Sequence, residues 1–308
     1  MASGLAKTLL SREVLALACG AMIGWSWVLL TGEWLSRAGT MGTVIAFMIG
    51  SSIVILISLA YAELASAMPL AGGEHHYTKR ALGYTSSFIA SWAVVIAYVT
   101  VCVFESAALP TALQYLFPDL GVGLLWSVAG SPVYASLVAV GAIGAALMTF
   151  INYVGIRFAA FVQTLMTVLF IAVGLLFFLG VGISEPPASR VPELSQGIVG
   201  ILGVLVMVPA LLVGFDVIPQ SAEEINLPPN RIGGLLVISV CLAGGWYIAI
   251  SLAVGNALSG PELEASTMPT ADAMAAVWSS SVLGQVMLLA GVGGILTSWN
   301  AFIIGGSR

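Results

Sequence analysis

The chain has 308 residues, 59% of them hydrophobic and only 7% charged, with a mean hydropathy of +1.07. A soluble domain carries about a quarter charged residues, so this composition excludes a water-covered globule and makes lipid the main solvent. The net charge of −5 rests on few, unclustered groups, which argues against a nucleic-acid surface.

A helix that crosses a bilayer needs about 20 mainly apolar residues. Eight stretches meet that need, at roughly 14–36, 41–67, 85–110, 132–150, 158–182, 196–220, 232–257 and 281–305. Long apolar runs with scattered glycine predict helices rather than the alternating strands of a barrel. The expected fold class is therefore all-α, a polytopic transmembrane helix bundle. The first run is too long for a cleavable signal and is expected to stay as a helix. With the N-terminus inside, Lys7, Arg12, Lys79, Arg80, Arg157, Arg231 and Arg308 fall on the cytoplasmic side and only Arg37 and Arg190 outside. That bias predicts an integral membrane protein with a cytoplasmic N-terminus. The membrane expected is a bacterial inner membrane. Cys19, Cys102 and Cys241 lie within apolar spans at no metal spacing and read as small packing residues.

The first span contains "ACGAMIGWSWVLLTGEW", Ala18 to Trp34, with Gly20 and Gly24 four apart. Such a pair is a helix-packing face or a weak point in the helix. After the second span, "GGEHHYTKR" places His75 and His76 side by side, without the spacing of a zinc helix, and reads as a solvated cytoplasmic loop. Glu105 stands toward the outer end of the third span and reads as a protonated or partnered acid near the interface. The outer connections "PDLGVG", "SEPPASRVPEL" and "SGPELEASTMPTADA" read as turns, the last with room for a short surface helix.

The sixth span, "VLVMVPALLVGFDVIPQSAEEINLPP", holds Pro209, Gly214, Asp216 and Pro219 within a few turns, the composition of an interrupted helix. Asp216 could cap its second half. Glu223 and Glu224 follow and are expected to pair with nearby basic residues. The first and sixth spans lie five apart and cross in opposite senses, the pattern of an inverted five-helix repeat. Residues 1–183 then form the first repeat and 184–308 the start of the second. The break in the first span leaves carbonyls near Ile23 and N–H groups near Trp25 and Ser26. The break in the sixth leaves carbonyls around Leu212 and Val213 and N–H groups after Gly214. Carbonyl ends attract ammonium and N–H ends attract carboxylate, so the two breaks match an α-amino acid. Met22, Ile23, Leu212, Val213 and Phe215 lean toward a neutral one, whereas Asp216 or Glu105 would admit a cationic one.

Four stretches resemble the amino acid–polyamine–organocation permeases: "GAMIGWSW", "YAELASAMPLAGGEHHYTKRALG", "GFDVIPQSAEEINLPPNRI" and "SWNAFIIGGSR". The resemblance implies a LeuT-like fold and secondary transport of amino acids by alternating access. It implies carboxylate binding around Gly24, Trp25 and Ser26, and ammonium binding by carbonyls near Ile23 and Val213. Phe215 matches a gating aromatic and Asp216 an acid that organises the break. Trp299 matches an aromatic at the site on the eighth helix, and Tyr98 lies near the substrate-facing position of the third. Ser26 stands where the family motif has a second glycine, and the flanking Trp25 points either into the pocket or into packing.

The family has about twelve helices, so the chain is expected to be a fragment or a short member. Some proton-coupled relatives carry a lysine midway along the fifth helix. The corresponding turn here is Thr167 to Phe170, without lysine. Sodium, a proton, or exchange without a coupling ion stay open, with Thr297 and Ser298 as hydroxyl ligands for sodium; no other cofactor is expected. Membrane-embedded enzyme, channel and non-transporting partner are the competing classes. The histidines share one loop, which leaves an enzyme little to work with, and no nucleotide-binding motif is present.

Overall fold

The computed structural model describes residues 7–187 and 189–308. Among these, six helices are long and apolar enough to cross a membrane: Thr31–Ala67, Tyr84–Leu116, Ala135–Val154, Ile156–Ile183, Pro229–Ala257 and Ser281–Gly306. They correspond to spans two, three, four, five, seven and eight. The other two spans are interrupted, as the sequence predicts. The first runs Ser11–Met22, breaks, and resumes at Ser26–Leu29. The sixth runs Gly197–Leu205 and Val208–Leu211, breaks, and resumes at Val217–Gln220.

The second half of the first span passes into the second span around Gly39, whose φ of 75° and ψ of 177° are non-helical. A Cβ there would lie 2.5 Å from the Pro192 carbonyl oxygen, so both conformation and space demand glycine. The loop that carries Pro192 and Glu193 closes on this corner. Thr40 and Met41 donate their N–H groups to the carbonyls of Pro192 and Glu193, each at 2.9 Å, which satisfies the start of the second span.

The eighth span forms the centre of the bundle. Some 78% of its apolar window is buried, against 11% for the third span. It packs on spans one, three and five, while span seven lies along span two. Spans three and four turn Phe88, Ile96, Val103, Ile143 and Phe150 outward, as a lipid-facing surface does. All three cysteines are free.

Two connections differ from expectation. Gly73–Leu82 is a helix, not a solvated loop, and it buries Glu74 and Tyr77 while Lys79 and Arg80 occupy its last turn. Its polar composition hides a narrow i, i+3 contact face. The connection before span four is a β-hairpin of Leu124–Val128 with Ser131–Tyr134, so the helix begins at Ala135 rather than near 132. Ala129 and Gly130 both have positive φ (50° and 85°), the turn that a two-residue hairpin requires. Spacing by apolar run alone merges that second strand with the helix that follows.

Candidate functional site

In the first span the chain leaves helical geometry at Ile23 (φ −99°, ψ 71°). Among the described residues, the N–H groups of Gly24, Trp25 and Ser26 donate to no protein acceptor. Buried unpaired N–H groups are rare and mark places where another partner belongs. Tyr247, from span seven, braces the break: its hydroxyl donates to the Met22 carbonyl and shares a hydrogen bond with Ser26 Oγ, each at 2.8 Å. One carbonyl of the Ser11–Met22 half is thus already occupied.

In the sixth span the break centres on Gly214, with φ of 121°. A side chain there would be strained by conformation and would also meet the Ala21 Cβ at 2.6 Å. Asp216 spans the gap. Its Oδ1 accepts the Gly214 N–H at 3.0 Å and its Oδ2 accepts the Tyr98 hydroxyl at 2.5 Å, which ties the break to span three. Asp216 is therefore a strut across the gap; its side chain accepts no N–H from the Val217–Gln220 segment and does not cap it. The carbonyls of Leu211, Leu212 and Val213 accept no backbone hydrogen bond among the described residues.

A cavity of about 180 Å³ separates the two breaks, with Gly24, Trp25 and Ser26 on one wall, Leu211 and Val213 on the other, and Glu105 beside them. Glu105 is 2% exposed and its Oε2 has no hydrogen-bond partner. A Cβ on Gly24 would lie 3.2 Å from Glu105 Oε1 and 3.3 Å from Ser298 Cβ. The glycine of the first break thus serves space, whereas that of the sixth serves conformation. A larger cavity of about 480 Å³ lies between spans three and four and the hairpin. It holds no charged side chain and touches neither break, so its size does not make it the site.

Of the residues singled out in the sequence, Gly24, Trp25, Ser26, Val213 and Ser298 line the cavity between the breaks. Ile23 is buried at the first break. The Trp25 indole packs over Gly291, so most of its bulk goes into helix packing. Tyr98, Asp216 and Gly214 form a hydrogen-bonded layer, with Tyr98 edge-on to Phe302 at 5.1 Å between centroids. Phe215 meets Tyr61 edge-to-face at 5.4 Å. Thr297 Oγ1 donates to the carbonyls of Gly294 at 3.0 Å and Gly20 at 3.3 Å, so its proton is spent on backbone. Trp299 is not brought to the cavity; its ring lies against Gly144 of span four. On one helix, Ser298 and Trp299 point about a quarter-turn or more apart, and the structure turns Ser298 inward.

Phe302 lines the cavity and was not anticipated. Its spacing of four from Ser298 carries the signal, since i and i+4 share a helix face. Glu105 was read as an interfacial acid and instead stands at the first break. Tyr247 has no sequence signal beyond being a tyrosine in an apolar span. In the fifth span, Gln163 and Thr167 donate to the Ala16 carbonyl at 3.2 and 3.4 Å and face Gly20.

The family model described as amino acid permease matches residues 12–308. The branched-chain amino acid permease BcaP of Bacillus subtilis (strain 168) is 25% identical over 78% of this chain and 52% of its own length. The methylthioribose transporter of the same organism is 24% identical over 94% of this chain and 63% of its own. The chain thus spans between about half and two thirds of these relatives' length. Among solved structures, the nucleobase-cation-symport-1 family transporter Mhp1, closed with bromovinylhydantoin bound, superposes with a TM-score of 0.58 at 13% identity. That match covers 99% of this chain and 67% of the other, and is a likeness of fold.

Proposed function

Since the chain belongs to the amino acid permease family, we propose that it is the part of a secondary transporter that holds an α-amino acid at the paired breaks and moves it by alternating access. One observation carries the reading: Gly24, Trp25 and Ser26, whose N–H groups are unpaired, and Leu211 and Val213, whose carbonyls are unpaired, line one small cavity. A carboxylate on the first set and an ammonium on the second supply the missing hydrogen bonds. The walls supplied by Val101, Phe104, Leu211, Val213 and Phe302 suit a neutral aliphatic side chain. The branched-chain cargo in the name of one relative agrees with that choice.

Tyr98, Asp216, Phe215 and Tyr61 form the layer beneath the cavity, on the side that basic residues mark as cytoplasmic. Alternating access requires this layer to open while the outer side closes, with spans one and six shifting against span eight. The test is binding and counterflow with the full chain in proteoliposomes, across leucine, valine, lysine, a sugar and methylthioribose. Saturable, stereospecific counterflow of L-leucine supports the reading, and binding confined to the sugar or methylthioribose overturns it. Replacing sodium by choline at fixed pH separates a sodium site at Thr297 and Ser298 from proton coupling or plain exchange.

A further inference from the structure

The helix Gly73–Leu82 puts a carboxyl where none is needed for packing. Glu74 is 7% exposed. Its Oε2 accepts the amide of Gln220, the last residue of the sixth span's inner segment, while its Oε1 has no hydrogen-bond partner. Tyr61 lies close to it without closing a hydrogen bond of good geometry. Gly73 beside it is pressed on Pro219, and the Gly72 N–H donates to the Gln220 carbonyl at 3.2 Å, so the helix and the sixth span meet at this residue.

The groups around Glu74 can be taken element by element. The sixth span presents Asp216, both of whose oxygens are held by donors. The second presents Tyr61 and the third Tyr98, which is bound to Asp216. Its own helix presents Tyr77, with an unpartnered hydroxyl, and His75, whose ring is held by Ser87 and Ser91 of the third span. The end of the eighth presents Arg308, fixed on Glu224 at 2.7 and 3.0 Å. No basic side chain is ion-paired with Glu74 or Asp216 among the described residues. A cavity of about 220 Å³, lined by Glu74, His75, Gln220 and Arg308, lies against the same carboxyl. Burial, and after it the Asp216 charge, push Glu74 up to about 8.

Resting on the permease reading above, we propose that Glu74 is a proton-binding site that holds the Gly73–Leu82 helix against the sixth span. The neutral carboxyl keeps the layer beneath the substrate cavity closed. Loss of its proton to water in the adjoining cavity leaves a bare carboxylate beside Asp216, and the two elements part. The balance is one proton released and one O–H bond broken for each opening, with no other reactant.

The test is an infrared titration of the full chain in proteoliposomes, paired with counterflow across the same pH range. Wild type is expected to show a protonated-carboxyl stretch that bleaches as pH rises through about 8, absent in Glu74→Gln. Asp216→Asn removes the neighbouring charge and is expected to shift the midpoint of that band downward, which keeps the test open should Glu74→Gln fail to fold. Glu74→Gln counterflow is expected to be slower by roughly fivefold at alkaline pH, a typical coupling effect, and flat with pH. An unchanged band in Glu74→Gln, an unmoved midpoint in Asp216→Asn, or a wild-type pH profile in Glu74→Gln overturns the proposal. Absence of counterflow in wild type overturns only the permease reading, because the infrared titration still decides whether Glu74 takes the proton.

Discussion

Gly24 and Gly214 look alike in sequence and do different physical work. Adding a methyl at Gly24 crowds Glu105 and Ser298 at 3.2 and 3.3 Å, distances that neighbouring side chains accommodate by small shifts. Gly24→Ala is therefore expected to leave the fold intact and to weaken ligand binding at least tenfold, about 1.4 kcal/mol, read as loss of the ligand-induced rise in Tm. At Gly214 a Cβ meets both a positive φ and the Ala21 Cβ at 2.6 Å. Gly214→Ala is expected to destabilise the protein itself by about 1–3 kcal/mol, seen as a lower Tm without ligand. Glycine count alone cannot separate the two; the sequence marks where a helix is weak, and only neighbours show why. Glu105 makes the same point. Its span was legible from apolar length, but which way an acid faces on a helix depends on packing that the sequence does not display.

Each broken span is tied to another span by a tyrosine from outside it, Tyr247 of span seven at the first break and Tyr98 of span three at the sixth. Tyr247 braces the first break and Asp216, through Tyr98, braces the sixth. Asp216→Ala removes acceptors for the Gly214 N–H and the Tyr98 hydroxyl, and leaving such buried donors unpaired costs about 1–3 kcal/mol. The measurable outcome is a lower Tm and faster amide exchange at Gly214, while Tyr98→Phe leaves the Gly214 N–H bonded and is milder. The Gly73–Leu82 helix carries a pH dependence of its own. Because burial raises Glu74, the folded protein binds more protons than the unfolded chain between the ordinary carboxylate range and about 8. Stability therefore falls as pH rises across that window, and Glu74→Gln is expected to flatten the slope of Tm against pH there. That helix was misread as a loop because only Glu74 and Tyr77 mark its buried face, too few for a periodic pattern.

At the scale of the molecule, the eight spans and both interruptions are legible because lipid demands long apolar segments and tolerates a broken one only where something lines the gap. Side-chain direction is less legible. Trp299, one residue past Ser298, packs on Gly144 instead of the cavity. The hairpin escaped because its strands are as apolar as the helix they precede. For long-range ties the sequence marks one end: a basic partner for Glu224 after span six is expected, and the structure supplies it as Arg308 at the end of span eight. Glu224 is almost fully buried there. Arg308→Ala leaves that carboxylate without its cation and is expected to cost about 1–3 kcal/mol, whereas Arg308→Lys, which keeps charge but not the paired contact, should lose less. Thermal unfolding in detergent compares the two.

The indole of Trp25 sits at the hinge of the first span with its ring fitted over Gly291 of the eighth. Any sliding of one helix on the other must lift that ring from its slot and change the polarity it senses. The protein thus carries a built-in optical gauge at the spot where the proposed alternating access places the motion. A shift in tryptophan emission on adding cargo, abolished by Trp25→Phe, would time the movement with no attached dye.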